Sequence, residues 1–244
     1  MQRYKGRLTN IVLIILMACL KPAFCQISIP IQHREWEVSG FVGSSVSGKL
    51  KFRTPVSGNN QETSRTVEMQ HTAGYQVGVR ANQNFNDFWS ADLEYSFADQ
   101  DLRLTNLSPS MPNFSLAQYI HHLSYDISYL PAGPRKRFRP YAIAGIGGGW
   151  FYVPGRAKKD ALEVGLKLRD SFELVFNLGG GMKYLVADQF AVTFDVKHRW
   201  SGVPSYGLPE SIRVVNGQYR PGMLATGVLQ STQFNFGLTF QWDE

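Results

Sequence analysis

The chain has 244 residues, 43% hydrophobic and 18% charged, with 25 Lys and Arg against 19 Asp and Glu. Its two cysteines, Cys19 and Cys25, both lie near the N-terminus, so the body of the chain has no disulfide scaffold, thiol nucleophile or thiolate metal site. The basic residues form no stripe, which argues against nucleic acid as a partner. No segment beyond the N-terminal region approaches 18 consecutive apolar residues, so no transmembrane helix is implied.

The N-terminus reads as an export leader. Arg3, Lys5 and Arg7 precede an apolar stretch over 11–20 that is too short to span a bilayer. Ala23-Phe24-Cys25 before Gln26 fits a cleavage site, so 1–25 is predicted to be a signal peptide, 26–34 a short N-terminal segment and 35–244 one barrel domain. Leu16-Met17-Ala18-Cys19 resembles a lipobox, which would instead put a lipid on Cys19. Met17 fits that pattern poorly, and an ordinary exported chain is the reading kept. Cleavage after Cys25 removes Arg3, Lys5, Arg7 and Lys21, leaving 21 basic against 19 acidic residues. The mature net charge is then +2.

Eight segments follow with strand periodicity. The first, 35–47, carries Trp36, Val38 and Val42 on one face. The second, 69–81, sets Tyr75, Val77 and Val79 against Thr72, Gln76 and Arg80. The third, 88–98, sets Trp89, Ala91, Leu93, Tyr95 and Phe97 against Ser90, Asp92, Glu94 and Ser96. The fourth, 117–130, sets Tyr119, Leu123, Tyr125, Ile127 and Tyr129 against His122, Ser124, Asp126 and Ser128. The fifth, 139–153, is rich in glycine. The sixth, from 172 to 186, sets Phe172, Leu174, Phe176, Leu178, Met182, Tyr184 and Val186 against Glu173, Asn177, Gly179, Gly181 and Lys183. The seventh, 190–200, sets Phe190, Val192, Phe194, Val196 and Trp200 against Thr193, Asp195, Lys197 and Arg199. The eighth, 232–242, alternates Phe234, Phe236, Leu238, Phe240 and Trp242 with Gln233, Asn235, Gly237, Thr239 and Gln241.

A period of two over ten or more residues means a strand with unlike faces. Strands in soluble domains run about five or six residues, whereas a tilted bilayer-spanning strand needs about nine to eleven. The connections alternate as well. Those over 82–87, 131–138 and 187–189 are short; those over 48–68, 100–115, 154–171 and 201–231 are long. An even strand count with short turns on one side and long loops on the other is the pattern of a bacterial outer-membrane barrel. Leu162, Val164, Leu166 and Leu168 continue the alternation inside the third long loop, which predicts that the hairpin of the fifth and sixth segments projects beyond the membrane.

Alternation alone leaves open which face is inside, since a lipocalin-like soluble barrel also has eight strands. Volume decides. Roughly twenty aromatic rings lie on the apolar faces, and an eight-strand interior is just wide enough for ordinary side chains. The apolar faces are therefore assigned to lipid. Trp36, Trp89, Tyr129, Tyr141, Phe151, Tyr184, Trp200 and Trp242, near strand ends, are assigned to the aromatic girdles.

The run Arg139-Pro140-Tyr141-Ala142-Ile143-Ala144-Gly145-Ile146-Gly147-Gly148-Gly149 resembles a strand of small outer-membrane β-barrel proteins of the OmpA/OmpX type. Phe176-Asn177-Leu178-Gly179-Gly180-Gly181-Met182-Lys183-Tyr184 is similar to the next strand of that family, and Phe234-Asn235-Phe236-Gly237-Leu238-Thr239-Phe240 to its terminal strand. Such barrels usually end on an aromatic residue read by the barrel-assembly machinery; here Asp243 and Glu244 follow Trp242. The resemblance implies an all-β, eight-stranded antiparallel up-and-down transmembrane barrel in the bacterial outer membrane. It implies outer-membrane lipid, lipopolysaccharide and the assembly machinery as partners, with any further ligand at the loops. Its motifs specify fold better than activity.

The most distinctive polar set is Glu37, Arg80, Asp92, Glu94, Asp126, Glu173, Lys183, Asp195, Lys197 and Arg199, all assigned to the lumen. Charges in a narrow barrel must be paired, and the set reads as a fixed plug in preference to a gate or narrow channel. His198 and Ser201, with Glu210 beyond, resemble the Ser–His–Glu set of outer-membrane lipid A deacylases, but that family places Ser two residues after His, and the three-residue spacing here puts the hydroxyl and imidazole on opposite faces. His121 and His122 are likewise opposed and cannot chelate together. Gly145 to Gly149 is not a phosphate loop, because no Gly-Lys-Ser/Thr follows. No catalytic, cofactor or metal residue is assigned. The reading is a non-enzymatic envelope or surface-interaction protein, with a lipid A-modifying enzyme second, and a narrow porin or soluble carrier third.

Overall fold

The computed structural model describes residues 35–57, 63–108, 111–133, 136–215 and 217–242. The predicted leader, the short segment after it and the terminal Asp243 and Glu244 lie outside the described residues. Among the described residues, twelve strands and one helix follow in chain order: β1 (Trp36–Ser47), β2 (Lys49–Ser57), β3 (Thr63–His71), β4 (Gly74–Asn84), β5 (Trp89–Ser108), β6 (Met111–Tyr129), β7 (Phe138–Tyr152), α1 (Gly155–Glu163), β8 (Ser171–Ala187), β9 (Phe190–Gly202), β10 (Ile212–Val215), β11 (Gln218–Arg220) and β12 (Val228–Trp242).

Eight of these strands, β1, β4, β5, β6, β7, β8, β9 and β12, form an antiparallel barrel. Consecutive members pair, β1 pairs with β12, and the β5–β6 pairing closes the ring. Closure leaves no free edge within the membrane, where an unpaired backbone group would have no water to meet it. The barrel strands run from 11 to 20 residues. At the short-turn end Asn86 sets one reversal, its Oδ1 accepting from the backbone N–H groups of Phe88 and Trp89 at 2.9 and 3.0 Å.

The outer wall is apolar as assigned. Val42, Leu93, Leu123, Phe172, Phe176, Leu178, Phe236 and Leu238 are all more than half exposed. Trp89 packs on Tyr129 at the short-turn end, and Phe97 on Tyr119 at the other. Ten residue steps separate Trp89 from Asp99, where polar groups return to the wall. At ~3.4 Å per residue and a tilt of ~40°, that is about 25 Å, the height of a membrane barrel's apolar band.

The remaining strands build upward from the long-loop end. The β2–β3 hairpin adds to the upper part of β5, where Glu68 to His71 pair with Thr105 to Leu102, and β10 adds to β2 in parallel with β11 beyond it. The β5–β6 ladder continues to the Ser108–Met111 pair. Most of the predicted loops over 48–68 and 100–115 are therefore sheet. The predicted second segment is two strands, broken at Thr72 and Ala73. The hairpins that project are β2–β3 and β5–β6. The third long loop does not continue as strand. It forms α1, with Ala157 and Ala161 one turn apart on its buried face, while Leu166 and Leu168 fold inward after it.

Inside this long-loop part lies an apolar core that includes Phe52, Val67, Met69, Leu102, Leu104, Leu107, Leu116, Ile120, Phe151, Leu166, Tyr206 and Ile212. Four separate connections contribute to it, so the long loops form one packed cap over the barrel mouth.

Candidate functional site

Within the apolar band the barrel strands turn their charged and most of their polar residues inward. Five cations are buried there, Arg80, Arg139, Lys183, Lys197 and Arg199, with five carboxylates, Glu37, Asp92, Glu94, Asp126 and Asp195. The centre is Glu94 on β5. It accepts from Arg80 at 2.7 Å, from Lys197 at 2.5 Å and from Arg199 at 2.7 Å. These partners come from β4 and β9, so the pairs cross the lumen as well as lining it. Lys197 also reaches Asp126 of β6 at 2.5 Å, and Arg80 reaches Asp195 at 3.3 Å.

Neutral groups take the remaining lone pairs. Asn177 donates to Asp126 at 2.9 Å, Asn235 to Asp195 at 2.8 Å, Asn82 to Asp92 at 2.5 Å and Ser128 to Asp92 at 2.9 Å. Nearer the short turns Lys183 pairs with Glu37, which also accepts from Asn84 at 3.0 Å. Burying charge costs several kcal/mol per ion unless partners restore what water supplied, and the charge-assisted bonds around Glu94 and Glu37 offset much of that cost. Between the two clusters a polar cavity of ≈ 20 Å³ is bounded by Glu37, Arg80, Asp92, Tyr141 and Lys183, room for about one water.

Nine of the ten predicted lumen charges belong to this system. Glu173 does not. It is half-buried near the cap and accepts from Ser171 at 3.0 Å, outside the described ion pairs. Arg139 belongs to it but was not predicted; it is buried and interacts electrostatically with Glu37 and Asp87. Two assigned girdle rings also point inward. Tyr141 is buried and its hydroxyl donates to Asp195 at 3.3 Å, and Phe151 is buried in the cap core. Phe41 is a third inward ring, with Arg80 over its face at 5.4 Å to the centroid. Glycine makes the room: a Cβ at Gly78 would sit 2.3 Å from Phe41, and one at Gly145 would sit 2.0 Å from the Asp126 carboxylate.

Where cap meets lumen, Tyr206 of the fourth long loop is fully buried and held at φ 53°. Its hydroxyl oxygen accepts from Gln118 of β6 at 2.5 Å and lies 3.0 Å from Nε2 of His71 on β3. Burial lowers the His71 pKa to about 4 and raises that of Tyr206. The three residues tie three connections together over the barrel mouth.

The other sequence candidates stay apart. His198 faces outward, its Nδ1 3.0 Å from the Thr232 hydroxyl and its ring against Trp200, while Ser201 is buried and donates to the Gly202 carbonyl at 3.0 Å. Glu210 is exposed in the fourth loop. His121 faces outward toward Tyr95 and Trp150, and His122 inward against Phe151.

No curated protein matches the sequence at a significant level. Among solved structures, the outer membrane protein OprG from Pseudomonas aeruginosa is 14% identical with a TM-score of 0.56, over 87% of this chain and 98% of that one. The Neisserial surface protein A is 13% identical with a TM-score of 0.44, over 85% and 97%. The outer membrane protease OmpT from Escherichia coli is 9% identical with a TM-score of 0.44, over 90% and 100%. The outer membrane protein beta-barrel domain matches residues 32–241, nearly the whole chain. The closed barrel, its lipid-facing wall and this match together make the chain a member of the outer membrane protein beta-barrel domain family, resident in the bacterial outer membrane.

Proposed function

We propose that this protein is a non-enzymatic wall protein of the outer membrane, with a lumen that does not conduct and a packed cap that meets the surroundings of the cell. In this reading 1–25 is removed on export, the barrel-assembly machinery inserts 35–244 as one domain, and the long loops face outward into the lipopolysaccharide layer. The observation that carries it is the ion system around Glu94, which joins β4, β5, β6 and β9 across the lumen beneath an apolar cap. An ion entering this path would have to break several charge-assisted bonds and then cross a dry layer. The opposed faces of His198 and Ser201 supply no nucleophile–base pair to compete with this reading.

Reconstitution into planar bilayers tests it. Purified, heat-modifiable protein is expected to give no discrete current steps, and deletion of the gene is expected to sensitise cells to detergent. Steady single-channel steps from the intact protein would overturn the closed-lumen reading.

A further inference from the structure

We propose that the outer face of β2, β3, β5 and β6, just above the apolar band, is a binding site for the phosphorylated sugar headgroup of lipopolysaccharide. The site rests on the reading that the long loops lie outside the cell. Strand register sets its geometry. Lys49 of β2 pairs with Gln70 of β3, Gln70 with Arg103 of β5, and Arg103 with Ser115 of β6. At ~4.8 Å between neighbouring strands this rank is about 15 Å wide. The rank above it is Lys51, Glu68, Thr105 and Asn113. The inward positions between them, Val67, Met69, Leu102 and Leu104, are buried in the cap core, so both ranks point away from the protein.

The face is concave. A groove of ≈ 540 Å³ opens on it, lined by Lys49, Glu68, Gln70, Arg103, Thr105 and Ser115 among others. That volume suits a small ligand. The side chains offered are two cations, two amides (Gln70 and Asn113) and two hydroxyls, the donors a phosphorylated sugar needs and an acyl chain does not. Glu68 is the acid within the groove. It pairs with Lys49 and, at 3.2 Å, with Lys51, which holds both ammonium groups over the ranks. Lys51 and Arg53 extend the positive column up β2, and both are exposed.

Depth and direction identify the ligand. Arg103 stands four residues above Asp99, about 10 Å higher on a tilted strand. Asp99 accepts from the Tyr75 hydroxyl at 3.1 Å, and the Phe97–Tyr119 ring pair lies at the same level. The groove thus opens sideways into the layer where headgroups of the outer leaflet stand, with rings for acyl chains beneath. A soluble polyanion would approach the top of the cap instead.

The test uses the full-length protein in detergent, titrated with bisphosphorylated lipid A and followed by its thermal unfolding. Wild type is expected to rise in unfolding temperature with lipid A and to ignore dephosphorylated lipid A. The Lys49→Gln/Arg103→Gln and Lys49→Glu/Arg103→Glu variants should keep heat-modifiable mobility but bind at least about tenfold more weakly. Unchanged lipid A affinity in both variants would overturn the site, as would equal binding of dephosphorylated lipid A. A soluble sulfated polysaccharide that binds where lipid A does not would overturn it in favour of a free glycan. Whole-cell labelling of the Thr66→Cys variant with an impermeant maleimide separates the two readings. Labelling with failed lipid A binding refutes the site alone; no labelling refutes the outward orientation and the site with it.

Discussion

The lower and upper halves of β5 and β6 are one continuous ladder with opposite chemistry. From Trp89 to Phe97 the odd positions face outward and include Leu93, Tyr95 and Phe97, while Asp92, Glu94 and Ser96 are buried. From Asp101 to Thr105 the odd positions still face outward, but they are Asp, Arg and Thr, and the buried ones are Leu102 and Leu104. β6 mirrors this, with Leu123 and Tyr125 outward below and Leu116 and Ile120 inward above. The geometry of the strand does not change at Ala98 and Asp99; the solvent around it does. A wall in lipid must hide polar groups in the lumen, and the same wall in water must hide apolar ones. The two interiors are stabilised by different forces, which makes them separable by experiment.

The largest effect is expected at Glu94. Its removal as Glu94→Ala leaves Arg80, Lys197 and Arg199 buried with a carboxylate missing, and breaking a buried pair costs about 3–5 kcal/mol. Urea unfolding of the barrel in vesicles should register the whole loss. Replacing Leu104, 1% exposed, with alanine should cost about 3 kcal/mol by transfer and cavity terms, but in the other interior. Limited proteolysis of the cap segments should quicken strongly while heat-modifiable mobility persists. If the two substitutions affect proteolysis and barrel unfolding alike, cap and lumen are one cooperative unit and the contrast fails.

The barrel was legible in the sequence because one phase of alternation, held for ten residues, encodes a wall with two solvents. The cap was not legible for the same reason. Leu102 and Leu104 fall out of phase with Tyr95 and Phe97, so a strand that keeps going looks like the start of a loop. At β3 and β4 the error runs the other way. Val67, Met69, Tyr75, Val77 and Val79 stay in phase, yet Met69 is buried and Tyr75 exposed, because the chain resets its face at Thr72 and Ala73. In the third loop, Leu162 to Leu168 alternate by chance across a helix end. Pro154 and the Ala157–Ala161 spacing were the better signal. Of the lumen, nine charges on strand faces could be read directly, but not Arg139, which lies in a glycine-rich strand without a clear charged face. Phe41 and Tyr141 could not, since their room comes from glycines on neighbouring strands that only register brings opposite them.

Acid should distinguish the two interiors through His71, which stacks on Phe151 at 5.8 Å and faces Tyr206. Its pKa is lowered from 6.5 to about 4 by burial. Between those values the unfolded cap binds a proton that the folded cap refuses, so stability rises with pH there. The contribution is fully present above about pH 6.5 and is lost as pH falls toward 4. At pH 5 the loss is of order 2 kcal/mol. Amide exchange in the cap segments should accelerate between pH 7 and 5 beyond the intrinsic change, and His71→Gln should remove that excess. An equal pH dependence in wild type and variant would assign the effect to other groups.

The smallest effect is expected from Tyr206→Phe, and it tests whether the junction between the interiors acts as a tie. The ring stays to fill the apolar core, while the hydroxyl that joins His71 to Gln118 is lost. A net hydrogen bond is worth about 1 kcal/mol, and stranding two buried partners adds to that. Because the strained φ of 53° at Tyr206 is retained, relief of that strain favours release of the fourth loop once the bonds are gone. Exchange protection should fall first around Tyr206 and at His71 and Gln118, and leave Lys197 and Arg199 on the lumen side unaffected. Loss of protection spreading down β9 would instead show that the ion system depends on the cap above it.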